Sequence, residues 1–141
     1  MKVQDIMTRQ VIGIGPEESV EVAARQLAHY NIGVLPVTER GKLCGVVTDR
    51  DLVIRCMAGG RDPRNTRVRD VMTRQVVSVQ PEMEVGVAAQ LMGRQQIRRL
   101  PVTENGALCG MVSLGDLAGR EESVMDAADA LMDITGNISA R

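Results

Sequence analysis

Apolar and polar positions along the chain follow two rhythms, and the same succession of rhythms occurs twice. A short apolar run, Val11–Ile14, stops at Pro16, and its counterpart Val76–Val79 stops at Pro81, as proline ends ladder pairing. Apolar residues then recur at helical spacing. Val20, Ala23, Ala24 and Leu27 predict a helix over about Val20–His29, and Val85, Ala88, Ala89 and Met92 predict one over about Val85–Arg94. Ser19 is a good N-cap for the first. Glu84 is a poorer cap but suits the positive end of the helix dipole. Two strands follow in each case, Val34–Thr38 with Leu43–Val47 and Arg99–Thr103 with Leu108–Val112. Tight turns at Gly41 and Gly106 make each pair a hairpin. A second helix opens after Thr48 or Ser113; the first of these runs to about Ala58 and is stopped by Gly59-Gly60.

This succession is one unit written twice. DIMTRQV begins at Asp5 and DVMTRQV at Asp70; LPVTE begins at Leu35 and Leu100; LCG begins at Leu43 and Leu108. The offset is 65 residues each time. The organisation is therefore repeat 1 over residues 1–60, a polar linker at 61–67, repeat 2 over 68–118 and a tail at 119–141. The tail predicts an amphipathic helix, SVMDAADALMDI, with Val124, Ala127, Ala128, Leu131 and Met132 on one face; Asp126, Asp129 and Asp133 make it acidic. It has no counterpart in the first copy. It either packs on its own module or docks a partner or second protomer. A unit of about 50 residues is hard to stabilise alone. An α+β fold follows, with two copies burying sheets and helices against each other about a pseudo-twofold axis and generating two related crevices.

Charge and composition narrow what those crevices hold. Net charge is −1, which argues against a protein built around the nucleic-acid backbone. Tyr30 is the sole residue among Phe, Trp and Tyr, so no stacking platform for single-stranded bases exists. Any purine bound here lies between aliphatic side chains and backbone. No apolar run approaches a membrane span. The opening MKVQDIMTRQ lacks the apolar stretch of a signal peptide, and three cysteines without a CxxC suit a reducing, cytoplasmic setting.

The strongest local signal is the strand-to-helix junction. Copy 1 reads Gly45-Val46-Val47-Thr48-Asp49-Arg50-Asp51 and copy 2 reads Gly110-Met111-Val112-Ser113-Leu114-Gly115-Asp116. Both are G-h-h-[ST]-x-x-D. On its own a Ser/Thr followed three residues later by an acid is a capping box. It also describes a ribose-phosphate cradle, with a helix N-terminus for an anion, a hydroxyl donor at Thr48 or Ser113 and a carboxylate at Asp51 or Asp116 for ribose hydroxyls. A cap can serve as both.

With the doubled D-h-M-T start and the I-x-x-L-P-V strand (Ile32–Val37, Ile97–Val102), these motifs closely resemble a tandem pair of cystathionine β-synthase (CBS) domains over about residues 3–118. The resemblance implies two β-α-β-β-α repeats packed by their sheets, and commonly a disc-like homodimer. It implies adenosine compounds such as AMP, ADP, ATP or S-adenosylmethionine as regulatory ligands, with a regulated protein in trans and no obligatory cofactor. Carried over by position, one site combines Thr48, Arg50, Asp51 and Val46 with Val77 and Arg99. The other combines Ser113, Gly115, Asp116 and Met111 with Ile12, Gly33 and Arg98. Arginine suits bidentate phosphate recognition. With Arg50 and Arg99 together, the Thr48/Asp51 site is expected to prefer the more phosphorylated ligand.

Two other functions compete. One is an interaction scaffold with vestigial crevices. The other is a thiol or metal sensor using Cys44 and Cys109, which occupy equivalent strand positions, although small apolar strand residues explain them more simply. Met7 and Met72 stand where they would line the crevices. No nucleophile–base pair is apparent, so catalysis is not expected, and His29 has no second histidine or ligand-spaced acid near it in sequence.

Overall fold

The computed structural model describes residues 1–120 and 123–139. The chain divides into two compact units that cut across the two sequence copies. A central unit is the continuous stretch Ile12–Val76; a terminal unit joins Met1–Val11 to Val77–Arg141.

The central unit holds helix α1 (Val20–Tyr30), the hairpin β1 (Val34–Glu39) and β2 (Lys42–Thr48), the short helix α2 (Asp49–Asp51) and helix α3 (Val68–Val71). Ser19 caps α1 by accepting from the Val22 amide at 3.2 Å. α1 ends where Asn31 turns left-handed at φ 53°. The hairpin closes through two residues, Arg40 and Gly41, both with positive φ. This turn matches the twist of the flanking strands. The run ending at Ile14 contributes one parallel bridge to Val37. α2 continues over Leu52–Met57 with wider, π-type winding, close to the expected end at Ala58.

The terminal unit repeats the plan with α4 (Val85–Gln95), β3 (Arg99–Glu104), β4 (Ala107–Ser113) and α5 (Leu114–Ala118), and adds α6 (Val124–Ser139). Its hairpin turns at Asn105-Gly106, again with both φ positive, and Val79 bridges Val102. The α+β class, the doubled β-α-β-β-α order and the C-terminal helix are those expected from the sequence, with the first strand of each copy reduced to a bridge.

Each hairpin is flanked by the opening segment of the other copy. Thr73 pairs with Val46 in the central unit, and Thr8 pairs with Met111 in the terminal one. Val3 donates to the Met83 carbonyl at 2.9 Å, and Val68 donates to that of Glu18 at 2.8 Å. Val3 and Val68 are fully buried, each in the core of the unit that receives it. The glycine that begins each G-h-h-[ST]-x-x-D motif makes this possible. A Cβ at Gly45 would lie 2.8 Å from the Thr73 carbonyl oxygen; one at Gly110 would lie 2.7 Å from the Met7 sulfur. Met72 is a core residue, 5% exposed, and Met7 is half-buried against the core of its unit.

α6 packs on α4 and α5 within the terminal unit, so of the two expectations for the tail the structure displays packing on its own module. The Ser123 hydroxyl donates to the Leu117 carbonyl at 2.6 Å and ties its start to the end of α5. The buried stripe is Ala127, Ala130 and Ile134. Of the five residues expected to share one face, Ala127 is buried while Val124, Ala128, Leu131 and Met132 are exposed. The buried stripe is therefore rotated about the helix from the expected one, and Ala130 lies in the same core cluster as Ala88, Ala89 and Met92 of α4.

Candidate ligand site

Both strand-to-helix junctions are capping boxes. The Thr48 hydroxyl accepts from the Asp51 amide and the Thr48 amide donates to the Asp51 carboxylate, each at 3.0 Å. The Ser113–Asp116 pair repeats this at 3.1 and 2.8 Å. The first helical residue of each junction also donates backward, Asp49 to the Gly33 carbonyl and Leu114 to the Arg98 carbonyl. The loop before each hairpin is thereby held against the box.

The two carboxylates differ in what else they meet. Asp51 is buried at 7% exposure. The Thr73 hydroxyl lies 3.3 Å from both of its oxygens, and the Arg55 Nε lies 3.8 Å from Oδ1. Arg55 in turn donates to the Val71 and Met72 carbonyls. Asp51 thus serves as an internal anchor for the incoming segment. Asp116 is only half-buried, and among the described residues the Ser113 amide is the sole hydrogen-bond donor to its side chain. Thr73 and Arg55 were missed by sequence reasoning; the doubled D-h-M-T motif was the signal for the first, and the i,i+4 spacing from Asp51 for the second.

A groove of about 490 Å³ opens beside Ser113 in the terminal unit, within the range typical of small-molecule sites. Arg98, Arg99, Ser113, Leu114, Gly115 and Ala118 line it on one side. The α6 residues Val124, Ala127, Ala128 and Leu131 line it on the other. Arg98 and Arg99 are exposed and enter no salt bridge among the described residues. The arginine pair that sequence reasoning divided between two sites therefore lines one groove. Val77 packs half-buried against the core of this unit, and Met111 is half-buried at its pairing with Thr8.

The other candidate residues, Ile12, Gly33, Val46, Thr48, Arg50 and Asp51, belong to the central unit. Ile12 packs half-buried on its core, and Val46 is paired with Thr73. Arg50 and Gly33 are exposed. A recess of about 410 Å³ lies there among Arg55, Arg69, Thr73 and Arg74. Its cations are partly engaged: Arg69 is paired with Glu17, and Arg55 is held as above.

Each cysteine thiol on a hairpin donates within its own unit, Cys44 to Val37 and Cys109 to Val102, both at 3.3 Å. Burial, reinforced by Glu39 and Glu104 respectively, pushes both thiols above the usual cysteine range. Among the described residues, no group of three or more His, Cys, Asp or Glu side chains is placed to hold a metal ion. Nor is any described helix long and apolar enough to cross a membrane.

The sequence model of the CBS domain matches the chain twice, over residues 3–57 and 68–123. The chain is 43% identical over 133 residues to the CBS domain-containing protein YhcV of Bacillus subtilis, covering 94% of each. Among solved structures it resembles Hypoxic Response Protein I with two coordinated zinc ions (30% identity, TM-score 0.78, covering 85% of this chain and 98% of that one). It also resembles the CBS domain pair of protein MJ0100 in complex with 5′-methylthioadenosine and S-adenosyl-L-methionine (26% identity, TM-score 0.73, covering 84% and 94%).

Proposed function

This chain belongs to the CBS domain family, and on that footing we propose that it is a regulatory module that binds an adenosine-containing nucleotide in the groove beside Ser113. The groove itself carries the reading. Arg98 and Arg99, which enter no salt bridge among the described residues, supply two guanidinium groups to a phosphate chain. Ser113, held by its capping box with Asp116, lines the groove and offers its hydroxyl to the ribose. Aliphatic side chains receive the base, as a chain with one tyrosine requires. The adenosine compounds bound by the MJ0100 pair are of the same chemical class.

In this reading the ligand is AMP, ADP, ATP or a related adenosine derivative, and the arginine pair favours the phosphorylated members. The protein acts as a cytoplasmic homodimer on a regulated protein in trans and catalyses nothing itself. Ligand shifts its state only through differential affinity for two conformations.

Thermal denaturation tests the proposal. A nucleotide at 100 times its dissociation constant stabilises the fold by about 2.7 kcal/mol, and Arg98→Ala with Arg99→Ala removes the shift. A shift that survives this pair places the ligand elsewhere. No shift with any adenine nucleotide favours an interaction scaffold instead, a reading supported by Val53, Ile54 and Met57, exposed at 48%, 51% and 74%.

A further inference from the structure

The two walls of the Ser113 groove have different origins. One is made by the repeat, with Arg98, Arg99, Ser113 and Gly115. The other is α6, which presents Val124, Ala128 and Leu131 and has no counterpart in the first copy. We propose that α6 is the specificity wall of this groove. Ala128 and Leu131 hold the base of the ligand while Arg98 and Arg99 hold its phosphates. The inference rests on the nucleotide reading above and adds which residues choose the ligand.

The position of α6 is set by residues that differ between the copies. Gly86 and Gly93 lie two turns apart on α4 and face Asp126 and Asp133, two turns apart on α6. A Cβ at Gly93 would come within 2.8 Å of the Asp133 carboxylate, and one at Gly86 within 3.7 Å of that of Asp126. The first copy has Glu21 and Ala28 at these positions. Glu21 would set one carboxylate against another, and the Ala28 methyl would occupy the space that Asp133 needs. The glycines therefore direct the helix to α4 and fix which groove it walls.

The chemistry of the wall fixes the orientation of the ligand. Val124 and Leu131 remain 42% and 40% exposed, leaving aliphatic surface for a planar base to cover. Asp126, Asp129 and Asp133 make α6 acidic, and its sequence holds no lysine or arginine. Phosphates are repelled from this side and attracted to the arginine side. Ala128 keeps the groove open, and a larger side chain there takes the volume a base would occupy.

The chain contains no tryptophan, so Leu131→Trp places a single indole on the wall of the groove. Titration of this variant with ATP, adenosine and inorganic triphosphate, alongside calorimetry of the unsubstituted protein, tests the proposal. The indole emission should change with ATP and adenosine and stay constant while triphosphate binds. Loss of ATP binding with triphosphate binding retained supports the wall equally. Ala128→Leu should weaken ATP by about tenfold or more, equivalent to about 1.4 kcal/mol, and leave triphosphate affinity unchanged. If ATP binds both proteins and the indole stays silent, or if Ala128→Leu folds and binds ATP normally, the wall assignment falls and the nucleotide reading stands. If the unsubstituted protein binds no adenine nucleotide, both fall together.

Discussion

The hydroxyl of Thr73 lies 3.3 Å from both carboxylate oxygens of Asp51, linking the opening segment of the second copy to the helix start of the first. A hydrogen bond to a charged, buried group is worth about 1.5–3 kcal/mol. Thr73→Val should therefore cost about that much in urea denaturation. Thr8, the equivalent residue, is exposed and makes no such bond to Asp116 among the described residues. Thr8→Val should be nearly silent, and equal losses at the two positions would contradict the asymmetry.

A methyl group at Gly45 meets the Thr73 carbonyl oxygen at 2.8 Å, whereas at Gly110 it meets the Met7 sulfur at 2.7 Å and the Thr8 carbonyl oxygen at 3.0 Å. The sulfur sits on a flexible side chain and can yield, so the backbone contact that remains is the looser one at Gly110. Overpacking of this kind costs about 1–3 kcal/mol. Gly45→Ala should destabilise more than Gly110→Ala, a ranking that denaturant midpoints would reverse if the two approaches were equally tolerant.

The seating of α6 predicts a difference between two equivalent positions. Gly93→Val pushes against Asp133, and Ala28→Val adds bulk at an exposed site. Limited proteolysis should release a fragment cut within α6 from the first variant and leave the second as resistant as the parent. Cleavage at the same rate in both would mean that Gly93 does not govern docking.

The thiols of Cys44 and Cys109 are raised mainly by burial, then by the nearby Glu39 and Glu104. The folded state therefore favours the protonated thiol. Its contribution to stability is complete below the unfolded thiol pKa and declines as pH rises through the folded one. Alkylation of the folded protein near pH 8 should be slower than that of the urea-unfolded chain and should accelerate toward higher pH. Rapid labelling at pH 7 would show activated thiolates and revive the sensor reading.

The helices and hairpins were legible because periodicity, turn residues and caps agreed, and each occurred twice. The Ser113 and Asp116 pairing was equally legible from spacing. The receiver of each opening segment was not. A constant offset of 65 residues relates the copies but does not say which hairpin DIMT or DVMT flanks. The conserved spacing of Gly45 and Gly110 held the clue, since a strand glycine marks close backbone approach. Arg99 was assigned apart from Arg98, while both line one groove. Met132 shares a helical period with Ala127, but the glycines of α4, which face Asp126 and Asp133, bring a different stripe of α6 inward.

The exchange of opening segments also bears on how such a chain can be cut or fused. The terminal unit is assembled from two separate stretches, Met1–Val11 and Val77–Arg141, and the central unit is the uninterrupted stretch between them in sequence. Residues 1–60 expressed alone would carry Val3 without its core and β2 without Thr73. Each copy supplies a segment that the hairpin of the other needs, so a cut between the copies leaves both units incomplete.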